Sequence, residues 1–216
     1  RINLGESIRV QKIKLSLSSD KKLILVGPDG QNLWQAPAIC STENCRAVLQ
    51  TDGNFVLYDE SRAIWSTGTH GFEAKLRISS HAPYMTIIDS TGRNLWTAVT
   101  ELYNFSSRPF VWRYRRADGQ RFHLAFQSDG NLVFYKGPRE NWHPIAASAS
   151  NSCSVAASCR LAFQKDGNLV LRNSENRALY SSQTSNRGEK LVIDLENEQV
   201  RIVDKNGNTV WTLDEL

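Results

Sequence analysis

The chain has 216 residues, 40% of them hydrophobic, which is enough to bury a substantial core in one large or two small domains. Its formal charge of +4 is only mildly basic and demands no acidic partner, nucleic acid included, and it contains no run of about 18 apolar residues that could enter a membrane. The chain opens with Arg1 and has no apolar leader, which reads as a processed or a trimmed form.

In chain order, short alternating segments are punctuated by turns such as Gly27-Pro28-Asp29-Gly30, Asp59-Glu60-Ser61-Arg62 and Asp204-Lys205-Asn206-Gly207. A large aromatic closes each segment. Trp34, Trp65 and Trp96 recur every 31 residues, and Trp142, Tyr180 and Trp211 form a second triplet. The expectation is an all-β chain of six internal repeats, each with three or four short antiparallel strands, and no segment carries a helical period. The short period disfavours a β-trefoil. The 46-residue interval between Trp96 and Trp142 contains Thr100 to Pro109 and breaks the period, so residues 1–103 are read as one domain and 104–216 as a second.

One stretch stands out within the repeats. Gln50-Thr51-Asp52-Gly53-Asn54-Phe55-Val56-Leu57-Tyr58 returns closely as Gln127 to Tyr135 and again as Gln164 to Arg172. Gln50, Asp52, Asn54 and Tyr58 alternate with Leu49, Phe55 and Leu57, the period of a strand with one wet face and one buried face. If Asp52 and Gly53 alone made the turn, Gln50 would point away from Asn54. A three-residue loop with Gly53 in the left-handed position of a bulge pairs Gln50 with Asn54 and brings the polar groups together, so this hairpin is expected.

The other repeats serve as an internal control. Apolar strand residues recur in them, for example Leu23 and Leu25, Met85 and Ile87, and Val200 and Ile202. The polar set does not recur. Its places are taken by Ser18, Asp20, Lys22, Ile24 and Val26 in the first repeat, by Ser80, Ala82, Tyr84, Thr86 and Ile88 in the third, and by Leu195, Asn197, Gln199, Arg201 and Val203 in the sixth. The fold tolerates loss of the polar set, which assigns the set to function. Asp-Gly-Asn as simple hairpin chemistry accounts for Asp and Gly but not for Gln and Tyr.

Cys40 and Cys45, and Cys153 and Cys159, are read as two local disulfides in an oxidising compartment, with reduced thiols as the alternative. Neither pair has the spacing of a zinc site, and no metal or cofactor is expected. Arg108, Arg113, Arg115, Arg116 and Arg121 form either a patch for an anionic polymer or a charged edge strand, with the edge strand preferred. Asn104-Phe105-Ser106 is a glycosylation sequon. His70, His81, His123 and His143 are scattered and no nucleophile motif is present, so the chain is not expected to be an enzyme.

The pattern Gln-x-Asp-x-Asn-x-Val-x-Tyr in three-unit domains with recurring Trp resembles the bulb-type, or monocot, mannose-binding lectins. The resemblance covers nearly the whole chain and implies two tandem β-prism II domains, each with three antiparallel sheets around a pseudo-threefold axis. It implies that Asp and Asn engage the 2-hydroxyl of mannose, Gln the 3-hydroxyl and Tyr the 4-hydroxyl, with Val against the ring. The implied sites are Gln50, Asp52, Asn54, Val56 and Tyr58; Gln127, Asp129, Asn131, Val133 and Tyr135; and Gln164, Asp166, Asn168 and Val170. Arg172 replaces Tyr at the third and puts its 4-hydroxyl contact in doubt. The expected ligands are mannose-containing glycans, 6-deoxy relatives such as D-rhamnose, or bacterial surface polysaccharide, bound by a secreted protein that could be a monomer or a homodimer. The tandem arrangement is also similar to the lectin-like bacteriocins, which makes an antibacterial protein the alternative.

Overall fold

The computed structural model describes residues 1–103, 105–138, 140–150, 153 and 159–214. Asn104 of the sequon lies outside them. Among the described residues the two-residue alternation becomes 23 short strands, and no helix occurs. They form two compact units, Arg1–Val99 and Thr100–Leu216.

In the first unit, the first repeat is a sheet of Ser7–Val10, Ile13–Leu17, Lys22–Val26 and Asn32–Ile39. The second repeat is built from Cys45–Leu49, Phe55–Asp59 and Arg62–Ser66, with the amino-terminal Ile2–Asn3 as its outer strand. The third has three strands, Lys75–Ile78, Met85–Ile88 and Asn94–Thr97. One face of each sheet turns inward, and Leu15, Leu25, Ala47, Phe55, Leu57, Met85 and Ile87 are buried there. At roughly 25 cal/mol per Å² of apolar surface removed from water, this face supplies the main drive for folding.

Every repeat carries a β-bulge at the same place, between Leu25/Val26, Leu57/Tyr58, Ile87/Ile88, Phe134/Tyr135, Leu171/Arg172 and Ile202/Val203. The bulge turns the last strand so that the residue before it on the middle strand faces the closing aromatic. Trp34 pairs with Leu25, Trp65 with Leu57 and Trp96 with Ile87. Their rings meet, with centroids 5.4 Å apart for Trp34–Trp65, 5.6 Å for Trp34–Trp96 and 6.0 Å for Trp65–Trp96. Three sheets converging on three mutually packed indoles make the pseudo-threefold β-prism that the resemblance implies.

The second unit has the same plan with two departures from the sequence reading. Thr100 to Pro109 does more than break the period. Glu101–Leu102, Phe105–Ser107 and Phe110–Arg115 are successive outer strands, added to the sheets of Lys190–Asp194, of Arg160–Phe163 and of Arg121–Phe126 respectively. The boundary therefore falls after Val99 rather than after residue 103. The long interval between Trp96 and Trp142 holds three strands that the repeat period does not count.

The other departure concerns Trp142. Tyr180 pairs with Leu171 and Trp211 with Ile202, as expected of closing aromatics, but Phe134 pairs with Ala146. Ala146 is the closing residue of the fourth repeat, buried at 2% exposure. Eight residues separate Tyr135 from its partner Pro144, against four between Tyr58 and Ala63, so the longer connection carries Trp142 out of the closing position. The strand Thr209–Thr212 with Trp211 packs within its own unit, where Leu213 N–H donates to Val200 O at 2.8 Å and Ala147 N–H to Asp214 O at 2.8 Å.

Both expected disulfides are present, Cys40–Cys45 and Cys153–Cys159. The first closes a loop whose Ser41 and Thr42 donate their amides and hydroxyls to Asp59, and these bonds hold the Asp59 carboxyl well below the usual range. Arg113 and Arg115 lie on Phe110–Arg115, the outermost strand of its sheet, in line with the edge-strand reading. Arg116 is held by Asp118 and Glu198.

Candidate functional site

Each polar stretch folds as the three-residue-loop hairpin. Gln50 N–H donates to Asn54 O at 2.8 Å and Gly53 N–H to Gln50 O at 3.0 Å, with Gly53 at φ 86°. The same pair of bonds closes Gln127–Asn131 and Gln164–Asn168. Glycine is required at these corners. Besides the positive φ, a Cβ on Gly130 would lie 2.4 Å from Cys153 Sγ, and one on Gly167 would lie 1.8 Å from Gly188 O. The turn carboxylates are oriented by their own hairpins: Asp52 Oδ1 accepts Asn54 N–H at 2.9 Å, Asp129 Oδ1 accepts Asn131 N–H at 2.9 Å, and Asp166 Oδ1 accepts Asn168 N–H at 3.1 Å.

The amide of Asn54 is fixed by groups that the sequence reading missed. Its Oδ1 accepts Gly68 N–H at 2.9 Å and the Thr67 hydroxyl at 3.2 Å, so Nδ2 turns outward. Thr67 Oγ1 also accepts the buried Phe55 N–H at 3.1 Å and lies 2.8 Å from Thr69 Oγ1, which donates to Gly53 O at 2.6 Å. Ser148 and Ser150 repeat this network around Asn131 and Gly130, and Ser182 and Thr184 repeat it around Asn168 and Gly167. All six hydroxyl residues are buried. A signal for them was available. Ser/Thr-x-Ser/Thr follows the closing position only in the three repeats with the polar set, and Ala36/Ala38, Ala98/Thr100 and Leu213/Glu215 stand there in the others.

Gln50 Nε2 donates to Tyr58 Oη at 2.8 Å, and Gln127 Nε2 to Tyr135 Oη at 2.8 Å. With these bonds made, the first two sites present alternating groups: the second carboxylate oxygen, which in Asp52 has His70 Nδ1 at 3.9 Å, an outward Asn NH2, a Gln carbonyl and a Tyr hydroxyl proton. A vicinal diol, whose hydroxyls each give and accept, matches that set. Val56, Val133 and Val170 lie on the same face but are only 2–4% exposed, so the patch is closed by polar atoms more than by an apolar floor. In the third stretch Arg172 donates instead to Asn176 O at 2.9 Å, and the pairing of Gln with Tyr is lost. No cluster of three or more His, Cys, Asp or Glu suited to a metal occurs among the described residues.

Beside the second site, His123 pairs with Tyr135 across the sheet and donates Nε2–H to Gly137 O at 2.9 Å. Its buried Nδ1 has no partner, and Arg113 and Arg121 lie nearby, so a second proton is strongly disfavoured. Burial first, then these cations, push its pKa down to about 4. Between the unfolded value near 6.5 and 4, the unfolded chain binds the extra proton and the folded chain does not, so stability falls as pH drops through this window, by about 2 kcal/mol. Urea titrations at pH 7 and pH 4 check this. His123→Gln, which keeps a donor for Gly137, flattens the dependence, and an unchanged slope in that variant assigns it elsewhere.

No family model matches the chain. A mannose-specific lectin from Aloe arborescens is 36% identical over 92 residues, which cover 42% of this chain and 76% of the relative. The chain belongs to the bulb-type mannose-binding lectin family. Mannose-specific lectin 2 of Colocasia esculenta is 24% identical over 198 residues, 92% of this chain, and the chain spans 66% of that relative's length. A G-type lectin receptor-like kinase of Arabidopsis thaliana is 30% identical over 127 residues, 56% of this chain and 12% of the kinase. Among solved structures, the two-domain fetuin-binding lectin of Scilla campanulata covers 100% of this chain and 93% of its own at 18% identity, with a TM-score of 0.35. The lectin-family fold of this chain therefore rests on its own sheet topology and on the sequence relationship.

Proposed function

We propose that the chain is a non-enzymatic lectin for mannose-type sugars, with sites at Gln50–Tyr58 and Gln127–Tyr135 and a weakened third at Gln164–Arg172. The observation that carries this reading is that the polar set and the buried hydroxyl pair that orients its Asn occur together in three repeats and are absent together from the other three. In this reading Asp Oδ2 and Asn Nδ2 take the 2-hydroxyl, Gln the 3-hydroxyl and Tyr the 4-hydroxyl. Nothing in the set reaches a 6-hydroxyl, so 6-deoxy sugars of the same pattern are admitted. At about 1 kcal/mol net per hydrogen bond, each site binds a monosaccharide near the millimolar range, and polymeric glycans gain by multivalency. Mannose-containing glycans are the proposed partners, and bacterial surface polysaccharide with the same hydroxyl pattern is a second source. The two disulfides support an extracellular setting, which four free thiols in protein from its native source would overturn. No residue or contact among those described singles out the antibacterial alternative, and it is not carried forward.

Calorimetric titration with methyl α-mannoside tests the proposal. Two sites per chain are expected, with no heat from a galactoside. Arg172→Tyr restores the partner of Gln164 and is expected to raise the count to three. No response to any sugar with the mannose 2,3,4-hydroxyl pattern removes the proposal.

A further inference from the structure

The connection displaced in the fourth repeat creates a feature that the other two sites lack. Trp142 folds back over the sheet face, its ring stacked on His123 at 4.2 Å and 23° and tilted against Tyr135 at 5.3 Å, with the Arg113 guanidinium 5.5 Å from its centroid. By register, the corresponding place is held by Ser61 in the second repeat and Asn176 in the fifth. The outer strand differs as well. Phe110–Arg115 runs six residues beside the site, where the second repeat has only Ile2–Asn3 and the fifth only Phe105–Ser107. It places Val111 next to Ala125, with Phe110 stacked on Trp112 at 3.9 Å.

Together these residues bound a groove of about 660 Å³ lined by Phe110, Val111, Ala125, Trp142, Gln127 and Asp129. That volume lies within the roughly 300–1,000 Å³ usual for small-ligand sites. Gln127 and Asp129 belong to the second sugar site, so the groove is continuous with it. Its far side is apolar and aromatic, the surface against which the C–H face of a pyranose packs, while the polar groups are at the end that meets the first ring.

We infer that the fourth repeat holds an extended site in which the groove walled by Trp142 and Val111 takes a second pyranose of a linked mannoside. The inference rests on the sugar-site reading proposed above. It makes the second site selective for oligosaccharides, while the site at Gln50–Tyr58 reads a single residue.

The test uses the full chain with the other sites silenced by Asp52→Asn and Asp166→Asn, titrated with methyl α-mannoside and with 1→2, 1→3 and 1→6 methyl mannobiosides. At least one mannobioside is expected to bind about tenfold more tightly than the monosaccharide, beyond the twofold that two equivalent residues give statistically. Trp142→Ala collapses that ratio and Trp142→Phe largely preserves it. Val111→Lys, which fills the groove from the outer strand and keeps the Trp142 side chain, collapses it too, so the inference stays testable if Trp142→Ala does not fold. Ratios within twofold for all three linkages, or a ratio that survives both Trp142→Ala and Val111→Lys, overturn the extended site alone. Absence of binding by every mannoside overturns the sugar site itself.

Discussion

Asp52→Asn and Asp129→Asn, made together, are expected to abolish measurable binding of methyl α-mannoside at the first two sites while leaving the fold intact. Each carboxylate already commits one oxygen to the Asn N–H two residues on, at 2.9 Å in both sites. An amide in the same place must give its oxygen to that N–H, and its NH2 then replaces the acceptor facing the sugar. A charged acceptor becomes a donor beside the outward Nδ2 of Asn54 or Asn131, and a sugar hydroxyl has nothing to donate to. Hydrogen bonds to charged groups contribute about 1.5–3 kcal/mol, so each site is expected to weaken by roughly 10–100-fold, from a starting affinity that is already weak. Calorimetry measures the loss and near-UV circular dichroism confirms the fold. Undiminished affinity in the double variant would place the sugar elsewhere on the chain.

Trp65→Ala is expected to cost the first unit about 3–5 kcal/mol. Its indole contacts Trp34 at 5.4 Å, Trp96 at 6.0 Å and Phe55 at 6.4 Å, so truncation opens a cavity where three sheets meet and none can collapse alone. For a domain of this size the loss corresponds to a fall of about 12 °C or more in Tm, read by differential scanning calorimetry. A shift under about 3 °C would mean that the indole trio is a consequence of the prism and not its keystone. The second unit shows that the position is not always aromatic, since Ala146 occupies it in the fourth repeat. Surrounding residues there include the stacked pair Phe122–Phe134, with centroids 5.6 Å apart.

Much of this was legible from residue order. The hairpin at Gln50–Asn54 follows from Gly53 and from the requirement that polar residues share a face, and both are local rules. The two disulfides follow from short spacings. The hydroxyl pairs were written in the sequence too, yet they lie 12 to 20 residues from the groups they bind, and small Ser and Thr near strand ends carry no distinctive pattern until the strands are paired.

Trp142 was misread for a similar reason. It lies seven residues beyond Tyr135, as Trp65 lies seven beyond Tyr58, and counting along the chain treats the two as equivalent. Pairing does not, because a connection four residues longer moves Ala146 into the closing position and leaves Trp142 on the sheet face.

The sequence by itself determined the six-fold repeat, the all-β class, and the residues of the recurring polar patch, complete in two copies and altered in a third. These depend on the two-residue strand period and on turn chemistry, which act over a few bonds. Only the tertiary structure decided that Glu101–Leu102, Phe105–Ser107 and Phe110–Arg115 seed three different sheets, that buried hydroxyls aim the Asn amides, and that Trp142 walls a groove beside the second site. Those outcomes depend on register and loop length, which set contacts between residues far apart in the chain.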